Sequence, residues 1–394
     1  MSIQIIRNDN NARYRCISGG RILEVVRTSE PDGELDTYKY AIVNAAKNIS
    51  QEIMPKLAKY DFIEVVNATG HDEMVYFTGI EEHTGDKIFI TLYQYNADSM
   101  QLDSLYSYED SRSLYPVLKK VKIFVLDEDY ILVQSSFLRS SLADNCQGYF
   151  DVEMSLFNTK VKNTVAVNDE NLMHGIEYLI PASKNVCVIK TGFSIFKDNL
   201  YQKLEPREAV PEIIGLVNTK QLVTDILLKQ RNVFIDIIDN VQYTKTIPRV
   251  EVREGCLIYS RVSPLEQKEE LFFYNFEERK ADKCIKNHVT GEDKLAKAYI
   301  LMDAPYVEVT RHNQTDLHNV SDNSIALHLN KGAGIKEIVR DYVVIEKEKN
   351  SILGYPAYVT EIYGYPEEVL IVREKAAFSQ LIIDDEDNIY LFTE

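Results

Sequence analysis

The sequence predicts an all-β fold assembled by repetition, in about seven units of four strands each. Three observations predict it. The chain carries 25 Tyr and 15 Phe but no Trp, and Tyr and Phe suit the pleated, half-buried surface of a sheet. A strand-like apolar run, a polar break and a second apolar alternation recur from end to end. Asn stands repeatedly at the break, where its tolerance of a left-handed backbone and its bonds to nearby main chain suit a hairpin corner. A chain of 394 residues also exceeds the usual size of one compact core.

The recurring lines are YKYAIVNAAKNISQEI, ITLYQYNADSMQLDSL, VEMSLFNTKVKNTVAV, EIIGLVNTKQLVTDIL, ELFFYNFEERKADKCI, SIALHLNKGAGIKEIV and EVLIVREKAAFSQLII. The last apolar residues before each break are Val43, Tyr95, Phe157, Val217, Phe276, Leu329 and Val372, separated by 52, 62, 60, 59, 53 and 43 residues. Asn follows in five lines, as Asn44, Asn96, Asn158, Asn218 and Asn330, while Glu277 and Arg373 occupy the other two places. Between the lines lie further apolar pairs with polar hinges, such as KIFVLDEDYILVQ, EYLIPASKNVCVIKTG and RVEVREGCLIYSRV. Their turns carry the Gly, Pro, Asp and Asn that hairpins require. In ELFFYNFEERK, the reading places Leu271, Phe273 and Tyr274 on a third strand, with the turn after Phe276.

Two strands before each break and two after it make a four-stranded unit, and the architecture resembles that of β-propellers. The resemblance implies one β-propeller domain over residues 1–394, with seven blades expected and six or eight as alternatives. It reaches no narrower family, since there is no repeated Trp-Asp ending and no repeated Gly-Gly doublet. The closing DNIYLFTE is expected to pair with N-terminal strands. The rival fold is a two-domain α+β protein, because 216–230 (LVNTKQLVTDILLKQ) and 40–57 also read as amphipathic helices. Their alignment with plainer strand lines assigns both to strand.

Asp and Glu total 61 against 44 Lys and Arg, a formal net charge of −17. Such a surface repels phosphate backbones, so nucleic acid is not expected as a partner. The small group Lys119, Lys120 and Lys122 reads as a solvated strand edge. No run of about 18 apolar residues marks a membrane span, and the polar start lacks a signal-peptide core. Cys16, Cys146, Cys187, Cys256 and Cys284 are odd in number and widely spaced. They read as reduced core cysteines of a cytoplasmic protein.

Candidate chemistry is sparse. His312, Asp316 and His318, with Asp322 nearby, carry metal-compatible atoms. His71, Asp72 and Glu73 stand consecutively in GHDEM, where a base and its polarising neighbour are conceivable. The acidic turns LDEDY and IDDEDN offer carboxylates without calcium-loop spacing. KGAGIK lacks the full phosphate-loop pattern and reads as a hairpin turn. No cofactor is expected. These observations favour a non-enzymatic interaction or ligand-binding platform for a protein partner or small polar ligand. The alternative is a hydrolase or lyase acting on a small polar or sugar substrate in a central funnel.

Overall fold

The structure is a computed structural model that describes residues 2–7, 12–16, 21–29, 36–44, 49–53, 64–67, 74–82, 87–96, 99–111, 120–140, 148–192, 212–241, 245–253, 255–263, 268–288, 297–302, 304–311, 314–320, 322, 324–349, 357–383 and 387–394. The chain divides into two compact units, Ile17–Thr246 and Met1–Cys16 with Ile247–Glu394. The second unit opens with β1 (Ile3–Arg7) and β2 (Ala12–Cys16).

The unit Ile17–Thr246 begins with β3 (Arg21–Ser29), β4 (Asp36–Asn44) and β5 (Ile49–Ile53), paired antiparallel in that order. Three four-stranded sheets follow. Their strands are β6 (Glu64–Asn67), β7 (Met74–Glu82), β8 (Lys87–Asn96) and β9 (Gln101–Ser111), then β10 (Lys120–Val125), β11 (Tyr130–Ser140), β12 (Gly148–Asn158) and β13 (Asn163–Ala166). The third contains β14 (Ile176–Ser183), β15 (Val186–Thr191), β16 (Glu212–Asn218) and β17 (Asp236–Val241), with α1 (Thr219–Leu227) between the last two strands.

The other unit also holds three four-stranded sheets. They are β18 (Thr246–Arg253), β19 (Cys256–Ser263), β20 (Lys268–Asn275) and β21 (Lys280–His288), and β22 (Lys297–Leu301), β23 (Ala304–Arg311), β24 (Gln314–Asn319) and β25 (Ile325–Leu329). The third is β26 (Ala333–Val339), β27 (Tyr342–Lys349), β28 (Ala357–Gly364) and β29 (Val369–Glu374). Last come β30 (Phe378–Ile383) and β31 (Ile389–Thr393), with β31 antiparallel to β30 and parallel to β1. The expected pairing of the C-terminal segment with an N-terminal strand is therefore present. Together with the β3-β4-β5 set, the described strands form eight sheets, one more than the seven units read from the sequence.

Second strands show why each sheet reads as a continuous apolar run. In β11, Leu132 packs into one cluster with Phe124, Leu156 and Ile189, while Ile131 and Val133 enter another with Tyr76 and Leu92. In β27, Val343 and Ile345 face one cluster and Val344 the other. Alternate side chains point to opposite faces, and here both faces are covered, so YILV and YVVI have no polar side.

The hairpin corner differs from the sequence reading at three places. The third strands end at Asn44, Asn96, Asn158, Asn218, Asn275, Asn319 and Gly364, so the spacings become 52, 62, 60, 57, 44 and 45 residues. The corner in ELFFYNFEERK is thus Asn275, one residue before Phe276. Leu329 and Val372 lie on fourth strands, β25 and β29. Apolar fourth strands imitate the third-strand pattern, which is why the last two lines were placed one strand too late.

The shared corner has a common geometry. The residue four after Asn96, Asn158, Asn275 and Gly364 is left-handed in each case: Met100, Lys162, Arg279 and Glu368, with φ of 59°, 52°, 53° and 54°. Asn158 Oδ1 accepts from the N–H groups of Lys160 and Val161 at 3.0 and 2.9 Å, and Asn275 Oδ1 from Glu277 and Glu278 at 2.8 and 3.1 Å. The Asn side chain thus satisfies amides that the turn leaves open.

The strand assignment over 218–230 is corrected: Thr219–Leu227 is a helix. Asn218 still ends its strand, but its Oδ1 caps the helix by accepting from Gln221 N–H at 3.1 Å. Leu222, Val223 and Ile226 are buried in the cluster beneath, a helical spacing that packs one face of α1 onto its sheet. KGAGIK is also corrected, since only Lys331 and Gly332 form the turn and Ala333 onward is β26.

Candidate functional site

In the unit that contains Ile247–Glu394, a cavity of about 730 Å3 is walled by the first strands of four sheets, β18, β22, β26 and β30. Its polar lining comes from Glu251, Lys297, Tyr299, Lys336, Glu337 and Gln380. A β-bulge explains how β26 supplies two consecutive charged side chains. Ile335 pairs with Ile345 and Glu337 with Val344, leaving Lys336 as the extra residue. Such a residue bends the strand and re-aims its neighbours. A register shift between Phe378 and Gln380 marks a similar irregularity in β30.

Most of these groups are held by bonds behind the lining. Lys336 Nζ lies 2.5 Å from Glu346 Oε1, and Glu346 Oε2 accepts from Phe378 N–H at 2.8 Å. Glu337 Oε2 accepts from Leu381 N–H at 3.2 Å, and Gln380 Nε2 donates to the Tyr14 carbonyl at 2.8 Å. Tyr299 donates its hydroxyl proton to Glu308 Oε2 at 2.8 Å. Lys297 is exposed and, among the described residues, has no ion-pair partner.

The Ile17–Thr246 unit contains a buried ionic cluster at the matching end of a sheet. Lys190 is fully buried, forms an ion pair with Glu177 and lies 3.1 Å from Glu212. Glu177 is the bulged residue of β14, between the pairs Ile176–Thr191 and Tyr178–Lys190. Lys122, read as part of a solvated edge, instead donates to the Glu177 carbonyl at 2.9 Å. A second cavity of about 440 Å3 lies beside α1. Asp169 at its wall accepts from the N–H groups of Asn171, Leu172 and Val233. Burial raises the Asp169 carboxyl above its ordinary range despite those bonds.

The sequence candidates fare unevenly. His71, Asp72, Glu73 and His312 lie outside the described residues. Asp316 and His318 are two apart on β24, at 4.0 Å between side chains, and the structure adds His328, whose Nδ1 is 2.5 Å from Asp316 Oδ1. Among the described residues no three His, Cys, Asp or Glu side chains converge to hold a metal ion. In LDEDY, Asp127 Oδ1 accepts from Asp129 and Tyr130 N–H, and Asp129 pairs with Lys160. Asp322 Oδ1 accepts from Ser324 N–H at 2.8 Å, and its hydrogen bonds to Ser324 hold its carboxyl below the usual range. Cys187 and Cys256 are buried free thiols, as expected, and burial pushes the Cys187 thiol up to about 11.

A further polar position recurs in the sequence. The fifth residue of a second strand is repeatedly polar: Gln134, Lys190, Ser260, Glu308, Glu346 and Thr393. The segments YILVQ, VCVIK, CLIYS, APYVE, YVVIE and IYLFT display this position as plainly as Asn displays the corner.

Four-stranded antiparallel sheets with strands in chain order, repeated through both units, define a β-propeller protein. One solved structure agrees at the level of the fold. The chain is similar to dipeptidyl peptidase 4 of Porphyromonas gingivalis, with a TM-score of 0.53 and 11% identity, over 95% of this chain and 56% of that one. It therefore spans little more than half of that peptidase. It is also similar to the β-propeller domain of the Trilobed protease from Pyrococcus furiosus, with a TM-score of 0.46 and 10% identity over 91% and 97% of the two chains. Sqt1 of Saccharomyces cerevisiae matches at 0.40 and 8% identity, over 88% of each chain. At such identities the likeness concerns the fold alone. No family model matches the sequence, and no curated protein matches it. Among the described residues no helix is long and apolar enough to cross a membrane.

Proposed function

We propose that this protein is a non-enzymatic binding platform, and that the cavity walled by β18, β22, β26 and β30 is its site for a small polar ligand. The observation that carries this reading is the fixed ionic lining. Lys336 and Glu337 are each tied to a neighbouring element, so they present charge in a set geometry without a cost of ordering on binding. The cavity volume falls in the range of small-ligand sites, about 300–1,000 Å3. The test is a screen of polar metabolites by ligand-detected NMR, with Glu337→Ala as the comparison. Hits that lose binding in the variant support the reading, and a screen whose hits ignore the substitution overturns it.

A hydrolase or lyase is the second reading, favoured by one specific feature. Glu251, Lys297 and Glu337 reach one cavity from three different sheets, the arrangement expected of acid–base chemistry in a funnel. Turnover of lactone, ester or glycoside substrates that vanishes in Glu337→Gln supports it. No turnover by the intact chain removes it.

A further inference from the structure

We infer that the rim of the cavity beside α1 is a docking surface for a short acidic segment of a partner protein. One bulky apolar side chain of that segment fills the cavity, and carboxylates flanking it meet Lys162, Lys229 and Arg231. The surface lies wholly within the Ile17–Thr246 unit, so it does not depend on the ligand cavity of the other unit.

An insertion builds this surface. Among the described strands, every other connection from a third to a fourth strand takes four or five residues, whereas 17 residues lie between Asn218 of β16 and Asp236 of β17. That length exceeds what a hairpin needs, and such additions to a rigid scaffold commonly carry binding residues. Helix α1 turns Leu222, Val223 and Ile226 into the core but leaves Leu227 and Leu228 exposed at its end, and Phe234 is 68% exposed. Phe234 is held out by its backbone rather than left loose. Its N–H donates to Asp225 Oδ2 at 3.2 Å, and the neighbouring Val233 is bonded at both backbone groups, to Asp169 and to Asn171. Met173, two residues beyond Asn171, is exposed as well. Exposed apolar side chains gathered in one place mark an interaction site, and preset ones bind with little further ordering cost.

Charge and shape select the occupant. Lys162, Lys220, Lys229 and Arg231 are exposed and, among the described residues, have no ion-pair partner. Along 161–170 and 219–235 they face a single exposed carboxylate, that of Glu170. On a chain of net charge −17 this is a local reversal of sign, and it favours an acidic partner. Lys229 lines the cavity itself, and Lys162 stands in the turn leading to β13, whose residues 164–166 line it too. The recess of about 440 Å3 also has Val165, Val167, Ile226 and Val233 in its wall, which suit an apolar side chain. The Asp169 carboxylate there is committed to three amides of the fold. A lipid surface has no side chain to insert in such a recess. A second copy meeting the same patch in a two-fold pair would set cations against cations. An acidic peptide with one apolar anchor meets neither objection.

The experiment pans a phage-displayed library of random peptides against the full chain, then measures the enriched peptides as fluorescent synthetic probes by fluorescence polarisation. The variants are the double reversal Lys229→Glu with Arg231→Glu, Phe234→Ser, and Lys331→Glu as a charge control on an exposed lysine of the other unit. Enriched peptides are expected to share one bulky apolar residue flanked by Asp or Glu. The double reversal and Phe234→Ser should each weaken them about tenfold or more, with Lys331→Glu unaffected. Enrichment of basic or uncharged peptides, equal affinity for all variants, or no enriched peptide at all overturns the assignment. Sedimentation of the chain with phosphatidylserine vesicles, abolished by Phe234→Ser, overturns it in favour of a membrane surface. A concentration-dependent dimer lost in Phe234→Ser overturns it in favour of a second copy. If Phe234→Ser disturbs folding by circular dichroism, Leu228→Gln, at a side chain 65% exposed, gives the same readout.

Discussion

The side-chain amide of Gln134 on β11 grips both backbone groups of Ile176, the first residue of β14. Its Nε2 donates to the Ile176 carbonyl at 3.1 Å, and its Oε1 accepts from the Ile176 N–H at 2.6 Å. Glu346 on β27 does half of the same task, accepting from the N–H of Phe378, the first residue of β30. Both are fifth residues of second strands. Each fixes where the next sheet begins, because an edge amide buried beside it has no water to bond.

Gln134→Leu removes both partners from a fully buried site. Leaving the Ile176 groups unpaired costs about 2–4 kcal/mol, one to three per amide group with partial relaxation. Urea denaturation is expected to show a lower midpoint with an unchanged slope. A midpoint within error of the wild type contradicts the structural role.

Lys190→Met removes the ammonium that Glu177 and Glu212 share in a buried site. Breaking a buried ion pair from one side costs about 3–5 kcal/mol. Replacing all three residues by apolar ones is expected to recover most of the stability. Chemical denaturation of the single and the triple variant measures both effects.

Glu361 supplies the clearest pH signature. Burial alone would raise its carboxyl, but hydrogen bonds from Lys347, Tyr363 and Arg373 outweigh burial and hold it at about 2. The folded value lies below the unfolded one, so the stabilisation is complete above about pH 4.5 and is lost as pH falls towards 2. Its size is about 1–2 kcal/mol, reduced from the full linkage value because the Lys347 and Arg373 head groups are partly solvated. In Glu361→Gln, the fall in Tm between pH 4.5 and 2 should be shallower than in the wild type.

At the corner of β20 and β21, Asn275→Ala loses the acceptor for two amides and should cost about 0.5–1.5 kcal/mol. Arg279→Gly, four residues on at φ 53°, is expected to be neutral or stabilising by up to about 1 kcal/mol, since Gly adopts that region freely. Opposite signs five residues or fewer apart, read by thermal melts, would confirm the shared turn geometry.

Much of this architecture is legible in the residues. Strand runs such as KIFV, YILVQ and ELFFY were readable because both faces are covered, so burial writes an unbroken apolar run. Asn at the corner was readable because the turn demands it. The last two repeats were misplaced because β25 and β29 are as apolar as third strands. Helix α1 is misread as strand because alignment with plainer strand lines outweighs the helical spacing of Leu222, Val223 and Ile226, and the deciding factor is the cluster they pack against. The site was less legible. Lys336 and Glu337 line one cavity only because a bulge breaks strand alternation, and a bulge is decided by partners on β27. His328 joins Asp316 through cross-strand register, which sequence distance hides.

The chain by itself determined that sheets form and repeat, since local periodicity, turn chemistry and apolar runs act over a few residues. Tertiary packing decided which strand each run became, whether the 219–227 segment coiled, and which polar groups met across first strands. Those outcomes depend on register and on the neighbour supplied by the next sheet, and neither is encoded within reach of a single turn.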